Sequence, residues 1–202
     1  AEQQAALDSL RQALEADTAS THLLYGVTGS GKTAVYLELA RACLERKRSV
    51  ILLAPEVALA LKLRRDAACA LPGAPLYFFH GYQSPARRER AFRELAARQA
   101  PCLVIGTRSA LFLPVPRLGA VVLDEEHDAS FKQDEGLHYQ AKEVAWFRVA
   151  QSRGLLVLGS ATPDIKTFHA ALAGALPVER LPRRVGGGAL PDISLVNISG
   201  LA

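Results

Sequence analysis

A glycine-rich run near the N-terminus contains the residue types best suited to bind a chain of phosphates. Residues 26–33 read Gly-Val-Thr-Gly-Ser-Gly-Lys-Thr and fit the pattern G-x-x-x-x-G-K-[ST]. Glycines let backbone N–H groups approach phosphate oxygens, Lys32 can reach the β- and γ-phosphates, and the Thr33 hydroxyl can ligate Mg²⁺. The pattern predicts a nucleotide-binding loop, whose members are Gly26, Val27, Thr28, Gly29, Ser30, Gly31, Lys32 and Thr33.

The alternative to a nucleotide-binding loop is an ordinary glycine turn, and the flanking sequence argues against it. Residues 21–25 form an apolar run typical of a strand, and residues 34–47 follow a helical pattern. Phosphate binding requires this order of strand, glycine loop and helix, because the helix N-terminus carries a partial positive charge.

A second set of chemical groups follows the apolar run at residues 121–123. Asp124 and Glu125 come directly after it. In P-loop nucleotide hydrolases an acid after a buried strand completes the Mg²⁺ shell, and a neighbouring acid can activate water. We therefore expect Asp124 and Thr33 to hold Mg²⁺, and Lys32, Asp124 and Glu125 to be the catalytic residues. For an isolated acid, a helix N-cap is the alternative.

The residue His127 has two possible roles. It either relays the nucleotide state to Ser160 and Thr162, which follow a later strand, or caps the turn after the acids.

Apolar strand patterns alternate with helical patterns along most of the chain. This alternation predicts an α/β fold in which a parallel sheet is covered by helices on both faces. Ligands then bind beyond the carboxyl ends of the strands. We predict strands at residues 22–25, 50–53, 76–79, 102–105, 120–123 and 155–158, and helices at residues 33–47, 57–70, 85–99, 141–152 and 164–173. Residues 1–15 are amphipathic, with Leu7, Leu10 and Leu14 on one face.

The composition is that of a globular protein with a mild positive charge. Of the 202 residues 50% are hydrophobic, and the net charge of +4 permits nucleic acid as a partner without requiring it. The scattered Cys43, Cys69 and Cys102 form no CxxC pair, which predicts buried thiols in a reducing cytosol rather than a zinc site or disulfides. No apolar run approaches the ~20 residues of a membrane span.

The texture of the sequence changes after residue 174, where Pro and Gly become frequent. We expect a domain at residues 1–175, followed by residues 176–202 as a linker with a possible edge strand at 192–198.

Taken in order, these segments resemble the first RecA-like motor lobe of superfamily 2 helicases, and within them the PriA family of replication-restart helicases. The resemblance runs from Gln3 to residue 197 and implies a RecA-like lobe that uses ATP and Mg²⁺, with Gln3 reading adenine. It rests on residues 26–33 with Val-Tyr-Leu at 35–37, Leu-Ala-Pro-Glu-Val at 53–57, Ile-Gly-Thr-Arg-Ser-Ala-Leu-Phe at 105–112, Asp-Glu-Glu-His-Asp at 124–128, Lys-Gln at 132–133 and Leu-Gly-Ser-Ala-Thr-Pro at 158–163.

The resemblance also implies what the parent protein does. Such proteins bind branched DNA at stalled forks, move 3′ to 5′ with ATP, and work with primosome and single-stranded-DNA-binding proteins on the bacterial nucleoid in the cytoplasm. It implies nucleic-acid contacts for Arg108, Phe131, Lys132 and Tyr139, because aromatic rings stack on bases and Lys meets phosphate. The alternative for Phe131 and Tyr139 is packing under the loop.

The chain departs from the family's pattern in the loop that couples DNA to ATP hydrolysis. Phe131 replaces a Tyr, His138 and Lys142 replace Arg, and residues 60–62 replace Thr-Pro-Gln. Because Lys and neutral His lack the bidentate donors of Arg, we expect weak or absent DNA-stimulated ATPase activity. The alternative function is a scaffold that binds DNA or primosome partners without ATP-driven unwinding.

No segment resembles a second motor lobe. Such a lobe supplies an arginine worth roughly 10³ to 10⁵ in rate. We therefore expect the lobe alone to bind nucleotide weakly and to hydrolyse it negligibly.

Overall fold

The computed structural model describes residues 2–186 and Ser194. It confirms the six predicted strands, each shifted by at most a few residues at its ends, and adds three more. The strands are β1 (Ser20–Gly26), β2 (Ser49–Leu53), β3 (Leu76–Phe79), β4 (Leu103–Gly106), β5 (Leu118–Asp124), β6 (Lys132–Gln133), β7 (Tyr139–Gln140), β8 (Leu155–Ser160) and β9 (Val178–Leu181).

The predicted helices are also present, with ends that differ by one or two residues. The helices are α1 (Glu2–Glu15), α2 (Lys32–Glu45), α3 (Val57–Ala70), α4 (Pro85–Ala97), α5 (Ala141–Ser152) and α6 (Ile165–Leu172), and 3₁₀ turns lie at Arg108–Phe112 and Ala129–Phe131. No helix in residues 2–186 is long and apolar enough to cross a lipid bilayer.

Seven strands form one parallel sheet in the order β3-β4-β2-β5-β8-β1-β9. Alternate residues of each strand enter different cores: Leu52 and Val122 face α1, α2 and α3, whereas Ile51 and Val121 face α4, α5 and the end of α6. Burial on both faces explains why the central strands are continuously apolar. The predicted α/β class is therefore confirmed.

The sheet continues past the domain boundary expected at residue 175. Strand β9 pairs in parallel with β1, and Leu181 at its end is fully buried in the core. The strand suggested at residues 192–198 lies outside the described residues apart from Ser194. The lobe thus includes at least one strand that the sequence pattern had assigned to a linker.

Two of the three cysteines are buried, as expected. Burial raises the pKa of the Cys43 thiol to about 12 and also raises the pKa of Cys102. The expectation was wrong for Cys69, which is exposed on α3 because it lies on the outer side of that helix.

A close backbone approach at the end of β4 makes Gly106 sensitive to substitution. A Cβ atom there would lie 1.9 Å from the carbonyl oxygen of Phe79 on the neighbouring strand. We predict that Gly106→Ala lowers the free energy of unfolding by about 2–3 kcal/mol, measured by urea denaturation. The matched control is Gly81→Ala, because a Cβ at Gly81 meets nothing within 4 Å. Equal stability of the two variants would contradict the prediction.

A polar contact ties β9 to β1 and α1. The Ser9 hydroxyl donates to Glu179 Oε1 over 2.6 Å, and His22 Nδ1 lies 3.2 Å from the same oxygen. Burial alone would raise the pKa of Glu179, but the hydrogen bonds from His22 and Ser9 outweigh it and hold that pKa below its ordinary value of 4.5. The ionised Glu179 therefore stabilises the fold above that pH.

We predict that Glu179→Gln lowers the free energy of unfolding at pH 7 by about 1 kcal/mol, the scale of a buried hydrogen bond. The wild-type chain should lose this contribution as the pH falls below 4.5, whereas the variant should not. Urea denaturation at several pH values measures both effects. Glu45→Gln, at an exposed site, should keep the wild-type pH dependence; if it flattens the acid side equally, the assignment to Glu179 is wrong.

Candidate nucleotide site

The glycine-rich loop lies between β1 and α2, at the carboxyl edge of the sheet. Gly29 and Gly31 adopt left-handed conformations, with φ of 80° and 90°, which residues with a Cβ rarely adopt. Helix α2 begins at Lys32, directly after Gly31. Lys32 is buried, and its Nζ donates to the Gly26 carbonyl over 2.8 Å. The loop thus holds its lysine against its own backbone.

The loop has the donor groups that a phosphate chain requires. Helix α2 begins where the loop ends, and the partial positive charge of its N-terminus favours an anion. Ser30 is 1% exposed, and its Oγ has no hydrogen-bond partner among residues 2–186. A buried hydroxyl without a partner costs stability, so a ligand oxygen would satisfy it. These residues therefore fit a nucleotide.

Two segments distant in sequence rest on the loop. Gln3 Nε2 from α1 donates to the Ser30 carbonyl over 2.9 Å, which places the residue expected to read adenine beside the loop. After β9, the backbone N–H of Val185 donates to the Gly29 carbonyl over 2.9 Å. The nucleotide loop is thus flanked by both ends of the described chain.

The acids Asp124 and Glu125 lie at the end of β5, which is separated from β1 by β8 alone. Burial raises the pKa of Asp124, while the hydrogen bond from Tyr36 and the charge of Lys32 oppose that rise. The strand order and the effect of Lys32 on this pKa both place the loop near the acid. Among residues 2–186, no group of three or more His, Cys, Asp or Glu is arranged to hold a metal ion.

Tyr36 is the site residue that the sequence reasoning missed. It is fully buried, and its hydroxyl donates to Asp124 Oδ1 over 3.0 Å. Burial raises the pKa of Tyr36 well above its ordinary value, so the hydroxyl stays protonated as a donor. Room for this hydroxyl comes from Gly159, where a Cβ would lie 1.7 Å from it. A polar ring within the apolar face of α2 was the available signal.

The three residues expected to couple nucleotide to the rest of the lobe do come together. His127 Nδ1 lies 2.8 Å from Ser160 Oγ, and His127 Nε2 lies 3.4 Å from Thr162 Oγ1. Ser160 Oγ also accepts from the backbone N–H of Thr162 over 2.9 Å. The end of β5 and the end of β8 are thereby connected through side chains.

A buried ion pair lies beside these residues. Glu126 is 1% exposed and accepts from Lys142 Nζ over 2.6 Å and from the backbone N–H of Asp164 over 2.8 Å. Lys142 also pairs with the Asp164 carboxylate. Lys142 is one of the positions where the chain departs from the family's Arg. In this structure it joins α5 to the loop before α6 instead of facing solvent.

The residues expected to contact nucleic acid have different surroundings. Arg108 donates to the Ser130 carbonyl over 2.7 Å and also to the Lys132 carbonyl and the Gln133 side chain, so it fixes the loop after the acids. Lys132 is exposed, and its Nζ lies 2.8 Å from Asp134.

The expected stacking role of Phe131 needs correction. Phe131 is 2% exposed and belongs to the core beneath the loop, so its ring is not accessible to a base. The packing alternative therefore describes this residue. Tyr139 is only partly buried and meets the Phe112 ring edge-on at 5.1 Å.

A cavity of about 800 Å³ opens beside the loop that follows the acids and carries Ser130, Gln133 and Tyr139. We name it the inner cavity. It lies at the carboxyl ends of β2, β3 and β4, on the opposite half of the sheet edge from the glycine loop. Its walls include Pro55, Glu56, His80, Tyr82, Arg108 and Tyr139.

The parallel sheet with a glycine-rich loop after its first strand has the architecture of a RecA-like α/β P-loop lobe. The family model described as "DEAD/DEAH box helicase" matches residues 2–171, and the chain belongs to that family. The chain is 42% identical to the replication restart protein PriA of Treponema pallidum over 195 residues, covering 94% of this chain and 29% of that protein. It is 36% identical to PriA of Bacillus subtilis over 197 residues, covering 98% and 24% respectively. The resemblance to PriA is thereby confirmed.

The chain spans about a quarter of the length of these relatives. Solved structures agree on the fold. RecG bound to a three-way DNA junction is 23% identical with a TM-score of 0.61, covering 90% of this chain and 24% of RecG. The yeast DEAD-box splicing factor Prp28 is 16% identical with a TM-score of 0.59, covering 84% and 43%.

The contact between Tyr36 and Gly159 can be tested by a double-mutant cycle. Tyr36→Phe should lower the free energy of unfolding by about 1–2 kcal/mol through loss of the hydrogen bond to Asp124. Gly159→Ala should cost more, because its Cβ overlaps the tyrosine hydroxyl. In urea denaturation, the double variant should lose about 1 kcal/mol less free energy of unfolding than the sum of the two single losses. The reason is that removing the hydroxyl relieves part of the overlap. Additive effects would show that the two residues do not interact.

Proposed function

We propose that the chain is the ATP-binding lobe of a PriA-like replication-restart helicase. The observation that carries this proposal is the pairing of the glycine loop after β1 with Asp124 and Glu125 after β5, in a chain similar to PriA over nearly its whole length. The family match favours ATP-driven work over the scaffold alternative.

In this proposal each residue of the nucleotide site has a separate role. Lys32 exchanges the Gly26 carbonyl for phosphate oxygens when ATP binds. Thr33 and Asp124 would hold Mg²⁺, which when bound would supply positive charge against the phosphates. Glu125 positions the attacking water, and Gln3 reads the adenine from its place beside Ser30.

His127 lies where it can report the state of the site. Its contacts with Ser160 and Thr162 join the acid-bearing turn after β5 to the turn after β8. A shift of Glu125 on hydrolysis would reach β8 through this imidazole, since Glu125 Oε2 lies 3.8 Å from His127 Nδ1. This supports the coupling role for all three residues.

The inner cavity is the proposed site of DNA contact. RecG and MrfA, both similar in fold, are described as bound to DNA. Tyr139 and Arg108 present a ring and a cation there. Arg108 also holds the loop that carries Lys132, which lies beside the cavity in sequence and is the further cation proposed to meet phosphate. We further propose that the parent protein acts on bacterial nucleoid DNA with primosome partners, in line with the name of its relatives. A second motor lobe would supply the arginine that rapid hydrolysis needs.

We predict that Lys32→Ala weakens the binding of a fluorescent ATP analogue by tenfold or more, because the only buried cation of the glycine loop is lost. Fluorescence anisotropy with and without Mg²⁺ measures the affinity. Lys166→Ala, at an exposed position on α6, should retain wild-type binding. The proposed site is refuted if Lys32→Ala binds as tightly as this control.

A further inference from the structure

An aromatic row extends from the edge strand β3 into the loop that follows it. Phe78, His80 and Tyr82 occupy alternate positions, with ring centroids 5.3 Å and 6.4 Å apart. The guanidinium of Arg64 lies 5.3 Å from the Phe78 ring centroid and extends the row at its β3 end. Tyr82 is 92% exposed at the other end. So exposed a ring contributes little to the core, whereas Phe78 packs against it. The exposed end of the row therefore needs another explanation.

The row connects two cavities. His80 and Tyr82 line the inner cavity, and the same two residues line a second cavity of about 870 Å³ outside β3. We name the second one the outer cavity. Arg64 of α3 and Arg87 of α4 belong to its walls. The two cavities therefore form one track that passes around the edge of the sheet.

This quarter of the molecule carries the positive charge of the chain. Residues 54–101 contain eight Lys or Arg and four Asp or Glu, a net charge of +4 that equals that of all 202 residues. Arg90 and Arg93 on α4 are paired with Glu94 and Glu89. Arg87, in contrast, has no ion-pair partner among residues 2–186. The track thus offers cations that are free to meet an anionic ligand.

We propose that a single strand of DNA leaving the inner cavity continues over this row into the outer cavity. Bases would stack on Tyr82 and His80, and phosphates would meet Arg64 and Arg87. Rings at alternate positions with flanking cations suit unpaired bases, whose faces are open, better than a duplex, whose bases are stacked on each other. The inference rests on the proposed function, because it extends the DNA path assigned to the inner cavity.

Two observations agree with a ligand at the junction of the cavities. The Nδ1 atom of His80 is buried and has no hydrogen-bond partner among residues 2–186, and the same holds for Ser109 Oγ in the inner cavity. Glu94 also lines the outer cavity, but it is neutralised by Arg90 at 2.8 Å. This ion pair reduces the repulsion between the carboxylate and a phosphate there.

The test uses the 202-residue chain and fluorescein-labelled oligothymidylates of about 6 and about 16 nucleotides, which bracket the size of one binding site. Anisotropy titrations at several salt concentrations give the affinity and its salt dependence. The wild-type chain should bind the long oligonucleotide at least tenfold more tightly. The double variant Arg64→Ala/Arg87→Ala should lose that advantage, and its slope of log affinity against log salt should fall by about 1.4 for two phosphate contacts.

Matched variants separate this track from general electrostatics. Arg46→Ala/Arg153→Ala removes the same amount of charge at exposed, paired residues that precede β2 and β8, at the opposite edge of the sheet, and should keep most of the length advantage and the salt slope. Tyr82→Ala should weaken binding of the long oligonucleotide about tenfold, and Tyr82→Phe should restore it because the ring suffices for stacking. Thermal unfolding confirms that each variant is folded.

The outcomes distinguish this inference from the function on which it rests. If the wild-type chain binds both oligonucleotides and Tyr139→Ala weakens both equally, but Arg64→Ala/Arg87→Ala changes nothing, DNA contact stands and the outer track is refuted. If the wild-type chain binds neither oligonucleotide at low salt, the DNA contact and the outer track fall together. Equal losses in the Arg64→Ala/Arg87→Ala and Arg46→Ala/Arg153→Ala variants would also overturn the track, because binding would then reflect total charge alone.

Discussion

The parallel direction of the seven strands is the constraint on which the rest of this structure depends. Because every strand of the sheet runs the same way, every loop that follows a strand opens at one edge. Neighbouring strands lie about 4.8 Å apart, so the end of β1 and the end of β5, with β8 between them, are about 10 Å apart. That distance suits a lysine and a carboxylate that must face the same phosphate chain. The order of the strands therefore sets the spacing of the site.

The sequence predicts this architecture well where each strand is apolar on both faces, as in β2 and β5. It missed β9 because Glu179 and Arg180 interrupt the apolar pattern. Glu179 is tolerated there because it is bonded to His22 and Ser9, which are 157 and 170 residues away along the chain. The periodicity of a short segment does not predict hydrogen-bond partners that are so distant in the sequence. The hairpin of β6 and β7 was missed for a different reason, since strands of two residues have no period to detect.

The residues of the site also fall into two groups, those whose role follows from the sequence pattern and those whose role does not. The glycine loop, the two acids and the grouping of His127 with Ser160 follow from residue types at strand ends. The contact of Tyr36 with Asp124 spans 88 residues and depends on the absence of a side chain at Gly159. The sequence around either Tyr36 or Asp124 therefore does not predict it. Phe131 shows the converse error. An aromatic residue in a loop suggested stacking, but residue type does not reveal exposure, and the ring supports the loop from below.

Strand β9 has a consequence for how this lobe could be handled or rearranged. A polypeptide that ended at residue 175, where the sequence composition changes, would lack β9 and leave one edge of β1 unpaired. It would also remove the side chain of Leu181 from the core. The unpaired edge of β1 would then be a template for strands from other molecules, with His22 beside it deprived of its acid. Aggregation would be the cost of that cut, so the smallest self-sufficient unit extends at least to the end of β9.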